Sequence, residues 1–298
     1  MLSANTLAKI DHLVAQYRDD GVVCIRDALE PDALEQAFRC FEWSLNHPTS
    51  SACTFYDSDV AEFYQDLCHP GGAKAYKTVL TESPIADIVA RLWGSDRVWF
   101  LYEQVFVKRG EATRRTPWHQ DTSYLALEGE EVAVAWISFD AVDAAHSLEF
   151  VRGSHKGKLY NGSAFDAEDD TAPIYAQGLP RLPDIEADRK AWDIVSFDVS
   201  PGDVVIFHPS TLHGGAATEP GKQRRTLSLR FFGEDAVYAQ RPTQAPAPLI
   251  VGLHEALGPG DPFRHPAFPQ LRPTPQGFDE IPQQEGPDYT LKAKISAG

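Results

Sequence analysis

The chain has 298 residues, with 43 acidic against 27 basic side chains and a formal charge of -16. Its apolar share of 43% supplies a sizeable core and excludes a disordered or collagen-like chain, and no apolar run approaches the roughly 20 residues of a membrane-spanning helix. So negative a balance argues against nucleic acid or an anionic membrane as a general partner. The expected partner is a small-molecule substrate, taken by a monomer or homodimer.

A barrel-type fold of this length runs as one domain, so a single domain over residues 1–298 is expected. The first residues, Met1-Leu2-Ser3-Ala4-Asn5-Thr6, lack a basic stretch followed by an apolar one, so no secretory leader is expected. Cys24, Cys40, Cys53 and Cys68 match neither paired zinc spacing nor a disulfide framework. Reduced thiols in a cytoplasmic protein follow.

In chain order, 3–18 reads as a helix, with Leu7, Ile10, Leu13, Val14 and Tyr17 at three- and four-residue spacing. Asp19-Asp20-Gly21 is a turn, and Val22-Val23-Cys24-Ile25 a short buried strand. Pro31-Asp32 opens a second helix over 31–45, and Pro84–Trp93 reads as a third. From residue 98 the texture turns to strands: Val98–Lys108, Val132–Phe139, Leu148–Val151, Val204–Phe207 and Thr226–Phe232. Without alternating long helices a doubly wound parallel sheet is disfavoured, and an antiparallel sandwich or barrel is expected behind an N-terminal helical part, 1–97.

Two segments fit neither texture. Residues 160–192 form a long polar insertion holding Asp166, Glu168, Asp169 and Asp170, either a solvated face or a cover for a site. The last 58 residues, 241–298, hold 11 of the 22 prolines and are expected to wrap the core in extended form. The basic run Lys108-Arg109…Arg114-Arg115 reads as a solvated loop, with a rim for an anionic substrate as the alternative.

The chemistry concentrates in Thr116-Pro117-Trp118-His119-Gln120-Asp121. In a strand, residues two apart point the same way, so His119 and Asp121 project together and can hold two adjacent positions on a divalent metal. A third ligand has candidates in His208 and His213, at the end of the strand after Pro201-Gly202-Asp203. Two histidines and one carboxylate make the facial triad of non-haem Fe(II) oxygenases, whereas a structural zinc site would be closed by four ligands. Beyond His213, alternation puts Arg224, Thr226, Ser228 and Arg230 on one face and Arg225, Leu227, Leu229 and Phe231 on the other. An inward Arg224 with the Ser228 hydroxyl four positions on suits the remote carboxylate of a 2-oxo acid. Parity disfavours Arg225 for this role.

In these segments the sequence resembles the phytanoyl-CoA dioxygenase family of Fe(II)/2-oxoglutarate oxygenases. The resemblance rests on Asp20-Gly21-Val22-Val23 between helices, on His119-Gln120-Asp121, on Gly153-Ser154-His155, on Gly202-Asp203…Phe207-His208, and on His213-Gly214 followed by Arg224. It departs from the family at Ala145-His146, where Asn-Gly is common, and at Arg152, where proline is. The resemblance implies a double-stranded β-helix, a cupin-like jelly roll spanning 98–232 with flanking helices, and iron held by His119, Asp121 and His213. It further implies O2 chemistry with 2-oxoglutarate anchored by Arg224, and Trp136 and Gln104 near that co-substrate. Asp121 stands where halogenating relatives lack a carboxylate, so hydroxylation of an unactivated C–H bond is the expected outcome. Rival readings are a non-catalytic cupin-like metal-binding or sensing protein and a metal-dependent isomerase or hydrolase. Neither rival requires an inward Arg224.

Overall fold

A computed structural model describes residues 4–56, 59–111, 113–279 and 281. Ser3, the Leu7 side chain, and the proline-rich tail from 282 onward lie outside the described residues.

The N-terminal part sets helix α1 (Ala4–Asp20) and strand β1 (Val22–Ile25) before helix α2 (Pro31–Asn46). There follow β2 (Cys53–Thr54), β3 (Ala61–Leu67) and three short helices, α3 (Gly72–Ala75), α4 (Lys77–Glu82) and α5 (Ile85–Trp93). Helix α5 ends on Gly94, whose φ of 73° is the left-handed stop that glycine adopts without strain.

Next come β4 (Val98–Gly110), β5 (Thr116–His119), β6 (Leu127–Glu128), β7 (Val132–Ser138) and β8 (Leu148–Val151). After the insertion, β9 (Ile194–Ser196), β10 (Val204–Phe207), β11 (His213–Gly215), β12 (Gln223–Phe232) and β13 (Val237–Tyr238) complete the core. A large antiparallel sheet runs β1-β10-β7-β12-β4-β3-β2, and a smaller one β5-β11-β8-β9. The two form an open jelly roll rather than a closed barrel.

Alternation along the strands decides what each face meets. Ala133, Ala135 and Ile137 of β7, Val204 and Ile206 of β10, and Leu227, Leu229 and Phe231 of β12 join one core with Ile10, Tyr17, Phe41 and Val89 of the helices. Val134 and Trp136, Val205 and Phe207 turn the other way and pack with Phe150 of the small sheet. The helices thus cover one face of the large sheet, leaving its other face and the small sheet to enclose a cavity.

The tail is less uniformly extended than its prolines suggest. It contains a helical turn, α6 (Leu253–Ala256), and a strand, β14 (Gln270–Arg272), paired with β4. Leu253, Phe263 and Phe268 bury against Trp99 and Phe232. Strand β3 has no counterpart in the expected elements, because Ala-Glu-Phe-Tyr-Gln-Asp-Leu lacks the aliphatic run that marks a buried strand.

Candidate active site

Strands β5 and β11 are antiparallel neighbours in which His119 and His213 are direct partners. Their rings therefore share a face, with centroids 4.2 Å apart. Strand β5 ends at His119. Gln120 stays extended, and Asp121 opens a 3-10 turn through Tyr124. Asp121 is thus outside the strand expected to carry it, yet the extended Gln120 preserves the two-residue relation to His119.

Asp121 Oδ1 lies 3.3 Å from His119 Nε2 and 3.8 Å from His213 Nε2. One atom of each residue falls within 4.8 Å of the others, and all three residues are buried. Each ring is fixed from behind: His119 Nδ1 donates to Pro117 O at 2.8 Å and His213 Nδ1 to Thr211 O at 2.9 Å. Both Nε2 lone pairs then face Asp121, the tautomer that metal ligation requires. Burial and the neighbouring His119 push His213 down to about 3, so it stays a neutral donor.

The second carboxylate oxygen is already engaged. Arg230 Nη2 donates to Asp121 Oδ2 at 2.8 Å and to Gln104 Oε1 at 2.6 Å. Burial acts to raise the Asp121 carboxyl, but Arg230 and the two imidazoles outweigh it and hold the group ionised. The Arg230 guanidinium packs over the Tyr102 ring at 4.7 Å, and its Nε and Nη1 have no hydrogen-bond partner among the described residues. Gln104 Nε2 donates in turn to Gln65 Oε1 at 2.8 Å.

Arg224, Thr226, Ser228 and Arg230 all line the cavity, as do Gln104 and Trp136. Ser228 is the cross-strand partner of both Gln104 and Trp136. Arg224 is buried and donates to Ala216 O at 3.2 Å and to His146 O. No carboxylate among the described residues pairs with it, and burial lowers it to about 10. At Gly215 a Cβ would stand 3.2 Å from Arg224 Nη2, so glycine keeps the space beside the guanidinium open. Arg225 lies on the helix side, bonded to Asp140 at 2.8 Å and stacked over Phe38. His208 also lies elsewhere, with Nε2 on Gly129 O at 3.1 Å and Nδ1 accepting from Ser210 N.

The cavity measures about 740 Å³. Phe55, Phe63, Phe106 and Tyr102 form one wall, and the insertion supplies a roof of Phe165, Pro173, Ile174 and Tyr175. Phe165, in left-handed backbone at φ 55°, stacks on Phe55 at 4.9 Å and reaches to 5.8 Å from His119. Tyr124 and Tyr175 pin the roof, donating to Ser163 O and Ser123 O. The start of the tail, Thr243 to Ala247, closes a further side.

The basic run is not the solvated loop expected of it. Arg109 pairs with Glu62, Arg114 with Asp170 at 2.6 Å, and Arg115 with Glu149 and Glu186. Nor is the acidic cluster simply solvated, since Asp170 latches the insertion to Arg114 and Asp169 pairs with Arg181. Lys108 is fully buried and lines the cavity. Arg230 is a site-lining charge that the sequence reading left without a role, and Lys108 is one that it placed in a solvated loop or, as the alternative, at a rim for an anionic substrate. Strand parity with Gln104 and with Arg224 is the signal that points to each.

The family model for phytanoyl-CoA dioxygenase (PhyH) matches residues 17–226. The chain belongs to this family of Fe(II)/2-oxoglutarate-dependent oxygenases. A probable phytanoyl-CoA dioxygenase of Caenorhabditis elegans is 28% identical over 158 residues, covering 51% of this chain and 48% of that protein. The peroxisomal phytanoyl-CoA dioxygenase of Homo sapiens is 26% identical over 135 residues, covering 43% and 37%. The match spans less than half the length of these curated relatives.

Among solved structures, the epimerase SnoN in complex with Fe3+, alpha ketoglutarate and nogalamycin RO superposes with a TM-score of 0.68 at 19% identity, covering 89% of this chain and 99% of that one. The alpha ketoglutarate-dependent carbocyclase SnoK from nogalamycin biosynthesis gives 0.64 at 20%, covering 91% and 96%. At these identities the likeness is one of fold. No helix of the described residues is long and apolar enough to cross a membrane.

Proposed function

We propose that this chain is an Fe(II)- and 2-oxoglutarate-dependent dioxygenase that hydroxylates an unactivated C–H bond of a small organic molecule, releasing succinate and CO2. The carrying observation is the convergence of His119 Nε2, His213 Nε2 and Asp121 Oδ1, with each remaining ligand atom occupied by another partner. Two neutral imidazoles and one carboxylate oxygen would hold iron on three positions and leave the others toward the cavity. Iron with 2-oxoglutarate and O2 bound supplies the oxidising power for C–H cleavage.

The residues around the ligands do the rest. Pro117 O and Thr211 O fix the ring tautomers. Arg230 holds Asp121 to a single free oxygen, and Arg224 offers a buried cation to a remote carboxylate. Trp136 and Ser228 form the wall between Arg224 and the ligands. The roof of Phe165, Ile174 and Tyr175 covers part of the cavity and so limits the access of water to the reacting atoms. The aromatic walls favour an apolar substrate, an acyl or amino-acid-like compound or a secondary metabolite. The unpaired Arg230 donors stand ready for one substrate oxygen.

Anaerobic addition of Fe(II) and 2-oxoglutarate tests this directly. A visible charge-transfer band is expected, lost in Asp121→Ala and weakened in Arg224→Met. A wild-type protein without the band would sink the reading, and so would a band unchanged in both variants. A screen for substrate-stimulated succinate release with product analysis then separates hydroxylation from the epimerisation and ring closure named for SnoN and SnoK.

A further inference from the structure

Lys108 is the least expected charge in the molecule. It sits on β4 directly opposite Arg224 of β12, both on the cavity face, where facing Cβ atoms stand about 4.5–5.5 Å apart. Its ammonium donates to Arg114 O and Thr116 Oγ1, each at 3.0 Å, and lies 3.8 Å over the Phe63 ring. Two of its three protons are thus used, both on neutral acceptors. No carboxylate among the described residues pairs with either Lys108 or Arg224, although each is buried. Burial, then the charges of Arg224 and Arg115, hold the Lys108 ammonium well below its ordinary range.

Burial beside Arg224 favours the neutral amine of Lys108 unless something negative joins the two groups and restores the ammonium. A purely structural task, bracing the carbonyl of Arg114 and the hydroxyl of Thr116, needs only a neutral donor that any polar side chain could supply, whereas a lysine facing Arg224 in the cavity can also gain a charge when an anion enters. Gly215 borders both groups: a Cβ there would stand 3.1 Å from Thr116 Oγ1, which accepts from Lys108, and 3.2 Å from Arg224 Nη2.

We propose that Lys108 is a second anchor for the remote carboxylate of the 2-oxo acid and sets the preference for a dicarboxylate over a monocarboxylate co-substrate. The inference rests on the functional reading above, in which Arg224 receives that carboxylate. A carboxylate offers two oxygens: the guanidinium supplies directional donors to one side, and the ammonium a compact charge and its third proton to the other.

Calorimetry on the anaerobic Fe(II)-loaded protein tests it with two probes, 2-oxoglutarate and 2-oxovalerate, which lacks the remote carboxylate. In wild type 2-oxoglutarate binds the more tightly. In Lys108→Met its affinity falls about 10- to 100-fold while that of 2-oxovalerate stays the same, so the preference narrows by that factor to what Arg224 alone supplies. Lys108→Arg, which keeps the charge, retains most of the wild-type preference. Lys108→Gln keeps a neutral donor to Arg114 O and Thr116 Oγ1, and is expected to narrow the preference in the same way while staying folded.

Equal weakening of both probes in Lys108→Met, or an unaltered preference in Lys108→Gln, would overturn the proposal and leave Lys108 as a brace. Those outcomes leave the enzyme's function standing. A wild-type protein that binds neither 2-oxo acid overturns the functional reading, and this inference with it.

Discussion

The cavity buries charge in two different ways at its two ends. Near the candidate metal ligands, Asp121 and Arg230 neutralise each other at 2.8 Å. Six residues away on β12, about 20 Å along the strand, Arg224 faces Lys108, and no carboxylate among the described residues pairs with either. One end is electrostatically finished by the protein itself, while the other is the end at which we propose that a ligand completes the balance. The contrast separates residues that shape the site from residues that wait for something to bind. Glu103 shows a third solution on the opposite, helix-facing side of β4. It accepts from His69 N–H at 2.7 Å, and burial pushes its carboxyl up to about 8. There the charge is removed by protonation rather than paired.

The largest test falls on the ligands. Asp121→Ala is expected to abolish iron binding and succinate release together, read by metal analysis and turnover. It also strands Arg230 without its anion, so the folded state should lose stability as well.

Arg230→Met comes next. Breaking a buried pair from one side costs about 3–5 kcal/mol, and loss of a group that orients a metal ligand weakens metal affinity about 10- to 100-fold. Denaturant unfolding and metal titration measure the two effects. If Arg230→Met unfolds like wild type, the ionic end is not the finished pair described here.

Arg224→Met should behave in the opposite sense. Removing a buried cation that lacks an anion leaves the ligand-free protein as stable as before, or more so. Affinity for 2-oxoglutarate falls about 10- to 100-fold, and the stabilisation that ligand confers on wild type shrinks accordingly. A large loss of ligand-free stability would erase the contrast between the ends.

The last test concerns pH and Glu103. A carboxyl with a folded value near 8 and an ordinary value of 4.5 binds its proton more tightly when folded. Its contribution to stability is complete below the ordinary value and is lost as pH rises through about 8. Thermal midpoints should therefore decline from pH 5 to pH 8.5. Glu103→Gln, already neutral, should flatten that decline, and an unchanged slope would assign it to other groups.

What was legible in the sequence was mostly what period two can carry. Alternation alone separated Arg224 from Arg225 and placed the polar face of β12 inward, because adjacent residues of one strand must point oppositely. The pairing of His119 with Asp121 was likewise a local matter of two-residue spacing. What stayed hidden depends on contacts between distant segments. The register that sets His213 against His119 and the reach of Arg230 across 109 residues to Asp121 have no local pattern, while strand parity gives the side on which Lys108 points but not that the strand runs on through a run that reads as a charged loop. The roof was legible as an insertion, but not the stacking of Phe165 on Phe55 that seats it.

The pairing of β5 with β11 has a consequence for how the protein matures. His119 and His213 are 94 residues apart and meet only through strand pairing, with β8 holding the other edge of β11. Long-range pairing of this kind forms late, since the chain between must first be gathered at an entropic cost. A chain in which β5 and β11 have not paired therefore brings together only His119 and Asp121 of the three candidate ligands. On the proposed ligand set, metal uptake would follow completion of the jelly roll, and an ion held across β5 and β11 would act as a clasp that slows its reopening.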